Sequence, residues 1–116
     1  MINELFQNYD YKLTDKEKKE LEKSVEKKIK NLYRKIGYEV YGIQSKLGCE
    51  GGVSDIIIIK NEQTTFIEIK SPSAFMKKNH NLSDSQIKFL KSVGGYVATI
   101  IGAEIVLELV KWQLNS

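Results

Sequence analysis

Apolar residues recur at Leu21, Val25, Ile29, Leu32 and Ile36, in steps of four, four, three and four, which lays a single stripe along a helix. Thr14-Asp15-Lys16-Glu17 fits a capping box ahead of that stripe, and Gly37 tolerates the left-handed dihedrals that end a helix. A helix is therefore predicted from about residue 15 to residue 36. The period then shortens to two. Tyr38-Glu39-Val40-Tyr41-Gly42-Ile43 predicts a first strand, and Gln44 to Gly52 a glycine-bearing loop. Ile56 to Ile59 are apolar on both faces, as in a strand covered on both sides. After the polar break Lys60-Asn61-Glu62-Gln63, the run Thr64-Thr65-Phe66-Ile67-Glu68-Ile69 completes a β-hairpin. With the turn centred on Asn61-Glu62, as a two-residue loop or the middle of a four-residue one, facing residues have numbers that sum to 123.

Pro72 stops the second hairpin strand, and Ser73 to Asn81, with Lys77, Lys78 and His80, reads as a basic loop. Leu82-Ser83-Asp84-Ser85-Gln86-Ile87 opens a second helix: Ser83 at the N-cap, Gln86 at N3, and Leu82 against Ile87 as a hydrophobic staple. Ile87, Phe89, Leu90 and Val93 form its core face, Lys88 and Lys91 point outward, and Gly94-Gly95 ends it. Tyr96 to Ile101 follows as a β-branched strand, parallel to a neighbour because a helix precedes it. Ala103 to Leu114 predicts a C-terminal helix, since Leu, Glu, Lys and Gln dominate its second half. Residues 1–13 show no sustained period and read as an N-terminal arm to one domain spanning 14–116.

Composition narrows the chemistry. At 116 residues the chain has room for one modest core. No apolar run reaches the eighteen or so residues of a membrane span, and no signal peptide opens the chain, so an intracellular, cytoplasmic setting is expected. The lone Cys49 excludes an internal disulfide, and with His80 it cannot build a zinc site, so any metal must be held by carboxylates. The net charge of +3 permits a local basic face without making the molecule a polycation.

The hairpin arithmetic sets Asp55 across from Glu68. Opposed residues share a face with Cβ atoms about 4.5–5.5 Å apart, and the period of two adds Lys70. Like charges set opposite each other destabilise a sheet, whereas a hard divalent cation such as magnesium or manganese would draw them together. Asp55 and Glu68 are therefore candidate metal ligands, with the Ile69 carbonyl as a third oxygen because it adjoins Glu68. Lys70 is a candidate for orienting water or stabilising a phosphorane; its alternative is a plain ion pair. Glu26 flanks the helix stripe about 100° from Val25, where it can reach a sheet edge or simply pair with Lys30, and Glu22 competes with it. Lys46 in the glycine-bearing loop, Lys77 and Lys78 in the basic loop, and Lys88 are candidate DNA contacts, each equally readable as a solvated lysine.

Asp55 followed by Glu68-Ile69-Lys70 resembles the PD-(D/E)xK nuclease superfamily. Gly52-Val53-Ser54-Asp55, Phe66-Ile67-Glu68-Ile69-Lys70-Ser71-Pro72, Leu82-Ser83 with Gln86, and Gly94-Gly95 look like its virus-type replication-repair nuclease branch, VRR-NUC. Ser54 departs from the proline usual before the aspartate. The archaeal Holliday junction resolvases are similar in pattern and length. The resemblance implies an α/β (α+β) restriction-endonuclease-like core, with a central mixed sheet of about four strands between helices in the order αβββαβα. It implies a catalytic set of Asp55, Glu68, Lys70, Glu26 and Gln86, with metal at Asp55, Glu68, Ile69 and Glu26; for Gln86 the capping role stands beside the catalytic one. It further implies a magnesium-dependent endonuclease, with manganese able to substitute, acting as a homodimer on branched DNA such as a four-way junction, away from membranes. A viral or phage origin is compatible with it. Alternatives are a nicking or restriction-type endonuclease of the same fold, or a nucleic-acid-binding module without catalysis.

Overall fold

The computed structural model describes residues 14–43 and 55–110. In chain order they form helix α1 (Asp15–Lys35), strands β1 (Glu39–Gly42), β2 (Ile56–Lys60) and β3 (Gln63–Ile69), short helix α2 (Pro72–Phe75), a 3-10 turn (Lys78–Asn81), helix α3 (Asp84–Val93), and strands β4 (Tyr96–Ile101) and β5 (Glu104–Leu109). The strands make one mixed sheet in the order β1-β2-β3-β4-β5, with β3 and β4 parallel and the other neighbours antiparallel. Helices flank this sheet, an α+β arrangement of the restriction-endonuclease-like kind.

Local chemistry sets the helix ends. The Glu17 amide donates to Thr14 Oγ1 at 3.2 Å and the Thr14 amide to Glu17 Oε1 at 3.1 Å, the reciprocal capping box. At the other end the Gly37 and Tyr38 amides donate to the Arg34 and Tyr33 carbonyls, a Schellman closure that needs the φ of +100° at Gly37. Val25, Ile29 and Tyr33 of α1 pack on Val40, Ile56, Ile58, Ile67, Ile69, Ala98 and Ile100 of the sheet. A second cluster joins Leu90 of α3 and Phe75 of α2 to Leu82, Val97 and Val110. Alternation along β4 feeds both clusters: Ala98 and Ile100 enter the first and Val97 the second.

The hairpin has the expected register, from Ile56↔Ile67 to Lys60↔Gln63, closed by the two-residue loop. Asn61 and Glu62 take φ of 54° and 66°, as a type I′ turn demands. A glutamate pays a steric cost in that conformation which glycine avoids, so Glu62→Gly should stabilise the fold by about 0.5–1 kcal/mol, read as a higher denaturant midpoint at unchanged m-value.

Four expectations need correction. The segment expected as a C-terminal helix forms β5 over its described part, pairing residue for residue with β4 from Ile101↔Glu104 to Tyr96↔Leu109. Gly102, at φ +61°, turns the chain back, and the partner edge of β4 overrides the helix preference of Leu and Glu. The sheet consequently has five strands where about four were expected. The basic loop at 73–81 is instead folded into α2 and the 3-10 turn, because Phe75 is buried against the second cluster. Val93 is exposed, since α3 ends there and the chain turns away at Gly94. The expectations for the arm at 1–13, the loop at 44–52 with Lys46, and 111–116 lie outside the described residues.

Candidate active site

Asp55 sits at the bend that leads into β2. Its carbonyl accepts from the Ile43 amide at 2.9 Å, continuing the pairing of β1 with β2, while its Oδ2 accepts from the Ile69 amide at 2.8 Å. The second bond turns the carboxylate toward the C-terminal end of β3. There Glu68 lies between Ile67 and Ile69, both of which pack under α1, so alternation directs Glu68 to the α3 side. It is 3% exposed, and its Oε2 accepts from Gln86 Nε2 at 3.1 Å. Its Oε1 is buried with no hydrogen-bond partner.

Gln86 holds both roles considered for it. Its Oε1 accepts from the Ser83 amide at 2.9 Å and its own amide donates to Ser83 Oγ at 3.2 Å, which completes the cap of α3. The same side chain then uses its amide nitrogen on Glu68, tying the start of α3 to the end of β3.

Burial pushes the Glu68 carboxyl up to about 9, helped by the adjacent Asp55 charge and by the hydrogen bond that the protonated form alone can give Asp55, with Lys70 opposing and Glu22 adding to the rise. Glu22 is also raised, first by burial and then by Asp55, with Lys70 pulling it down and Glu26 adding to the rise. Glu26 is raised by burial, against the pull of Lys30, whose Nζ is 3.8 Å from its Oε2, and with a contribution from Asp55. The two helix glutamates thus both face Asp55, and Glu22 is the one that also feels Glu68 and Lys70. Lys19, Glu22, Lys23, Glu26, Asp55 and Ile69 line a cavity of about 230 Å³.

Two adjoining carboxyls, one with an orphaned buried oxygen, require either a shared proton or a cation. Among the described residues no three His, Cys, Asp or Glu side chains form a complete cage. Two carboxylates with further oxygens nearby suit magnesium, which retains much of its water and binds through one or two carboxylates.

Other expected residues lie elsewhere. Lys77, Lys78 and Lys88 are exposed, and none lines this cavity. His80, read from the sequence as part of a basic loop, is half-buried: Nδ1 is 2.6 Å from the Phe75 carbonyl, Nε2 is 3.2 Å from Glu108 Oε2, and the ring packs on Phe75. It fastens the 3-10 turn to β5. Sequence reasoning missed Lys19 and Lys23; their spacing with Glu22 and Glu26 along one helix face was the available signal.

A mixed sheet with an aspartate at the mouth of one hairpin strand and Glu-x-Lys at the end of its partner, flanked by helices, defines the PD-(D/E)xK nuclease class. Within that class, the VRR-NUC domain model matches residues 2–98, and the chain belongs to this family of nucleases. No curated protein and no solved structure matches the chain. Among the described residues, no helix is long and apolar enough to cross a membrane.

Proposed function

We propose that this protein is a magnesium-dependent DNA endonuclease acting on branched structures, four-way junctions foremost, as a homodimer. The observation that carries the chemistry is the adjacency of Asp55 and Glu68, with Glu68 Oε1 buried and unpartnered and Lys70 beside them. Asp55 and Glu68, with the Ile69 carbonyl, would hold the ion, and manganese would serve in its stead. When bound, such an ion supplies positive charge to the phosphoryl oxygens and makes water more acidic.

The chain's own residues supply the remainder. Gln86 fixes one oxygen of Glu68 by a hydrogen bond and thereby aims the other. The Ile69 amide does the same for Asp55. Lys70 donates toward the negative charge that develops on the phosphorus oxygens as the water attacks, an interaction stronger in the transition state than in the ground state. Glu26 and Glu22 present carboxylates on the α1 side of Asp55, where either can accept a hydrogen bond from the attacking water.

Branched DNA is supported by the likeness of the motif order to that of junction resolvases. A dimer is supported by β5, an outer strand of the described sheet that exposes Leu107 and Leu109. Two sites related by a two-fold axis could nick symmetric strands of a junction.

Incubation with a labelled four-way junction and a matched linear duplex, with and without magnesium, tests the reading, with Asp55→Ala alongside. Magnesium-dependent cuts confined to the junction and absent from Asp55→Ala are expected. Cutting of both substrates would leave a general nicking or restriction-type nuclease. Binding without cutting would leave a module that keeps the fold without catalysis.

A further inference from the structure

We propose that α1 is the phosphate-tracking surface of this protein, with Lys19, Lys23 and Lys30 gripping phosphates along one strand of a DNA duplex and delivering that strand to Asp55. The inference deepens the nuclease reading and rests on it. At 100° per residue, Lys19, Lys23, Glu26 and Lys30 fall within a sector of about 60° on the helix. That sector faces the site. Lys19 and Lys23 line the cavity of about 230 Å³ that contains Asp55 and Ile69. Lys30 lines a second cavity of about 360 Å³ with Gly42 and Ile43, and the two cavities share Glu26 and Asp55.

Two of the lysines are placed for an external anion, and the third, Lys30, is 3.8 Å from Glu26 Oε2 and must share its charge with that carboxylate. Lys19 and Lys23 are exposed and have no ion-pair partner among the described residues. Lys30 is half-buried, and its ammonium occupies space left by a bare backbone: a Cβ at Gly42 would lie 2.9 Å from Nζ. Eleven residues separate Lys19 from Lys30, about 16 Å along the helix, long enough to span several phosphates of one strand. The carboxylates between these lysines repel phosphate. A strand held by the ammonium groups must therefore come nearest the protein where a cation offsets Asp55 and Glu68. Uneven charge of this kind favours one register of the backbone over a sliding one. On this account the exposed Lys77 and Lys78, carried on the turn after α2, contribute little to duplex affinity.

The test is the salt dependence of duplex binding, measured by fluorescence anisotropy on the full chain, with calcium replacing magnesium to restrain cleavage. Each lost phosphate contact reduces the slope of log K against log salt by about 0.9. Lys19→Gln/Lys23→Gln should lower the slope by about 1.8 and weaken binding by at least tenfold near physiological salt, with the circular dichroism of the wild type. Lys77→Gln/Lys78→Gln should leave the slope within error of wild type. An unchanged slope for the first pair beside a lowered one for the second would overturn the proposal while leaving the nuclease reading intact. Failure of the wild type to bind duplex or junction at any salt would overturn both.

Discussion

Replacing Glu68 with glutamine should raise the melting temperature of the metal-free protein at pH 8 and abolish its cleavage of DNA. The two effects have one origin. The Glu68 carboxyl is pushed up to about 9 from an ordinary 4.5, mainly by burial and then by Asp55. A group whose value rises on folding gives its full stability below the unfolded value and loses it as pH climbs through the folded one. Between about pH 4.5 and 9 the metal-free fold therefore pays increasingly for this carboxylate. Glutamine carries no charge. It can still accept from Gln86 and can donate to Asp55, so it satisfies the oxygen position that is now orphaned. Relief of a buried, unsatisfied polar group is worth about 1–3 kcal/mol, or roughly 4 °C and upward for a domain of this size. At pH 4 the two proteins should melt within about a degree of each other, because protonated glutamate already resembles glutamine. Thermal scans across pH, paired with a cleavage assay, check both halves. A loss of stability on substitution at pH 8 would mean that Glu68 is held by a partner of fixed charge.

Lys70→Met should lower the single-turnover cleavage rate by about 10²–10³-fold while divalent-cation uptake persists. The ammonium lies near enough to pull down both Glu68 and Glu22, so it sits among the site's charges. Removing it does not remove an oxygen ligand, and it takes away a positive charge that opposes a cation. What is lost is stabilisation of negative charge growing on the phosphoryl group, for which removal of one donor costs about that factor. Methionine preserves most of the aliphatic stem, and the bond from the Lys70 amide to the Ala98 carbonyl is untouched. Comparing the rate with the metal dissociation constant separates this role from a structural ion pair. Were Lys70 only a partner of Glu68, metal affinity and stability would change and the rate at saturating metal would not.

The parts of this fold that were legible in the sequence are those in which local chemistry and tertiary contacts agree. The polar break at Lys60-Asn61-Glu62-Gln63 fixed the hairpin register through its two-residue turn, and Ile56↔Ile67 follows. Ser83 and Gln86 announced the start of α3 through their own side chains. Glu104 to Leu109 carried a composition equally suited to helix, and only the exposed edge of β4 decided the outcome. The stretch from Ser73 to Asn81 was obscured by Asn79, His80 and Asn81, all at positive φ, a turn held through His80 by the Phe75 carbonyl and by Glu108, the latter distant in sequence. Of the candidate site, Asp55, Glu68 and Lys70 were legible as one group because the hairpin turn brings the start of β2 beside the end of β3. The choice between Glu22 and Glu26 was not, since it depends on how α1 crosses the end of the sheet. Lys19 and Lys23 look like any solvated helix lysines until Asp55 is known to lie beneath them.

Isothermal titration of magnesium and manganese into the wild type and Asp55→Ala, at pH 6.5 and 8 and in buffers of different ionisation heat, tests the central claim most directly. One cation should bind the wild type, more tightly at pH 8. Close to one proton should be released per ion, because the Glu68 proton must leave. Asp55→Ala should bind at least tenfold more weakly. Absence of uptake by the wild type, even with DNA present, would contradict the account.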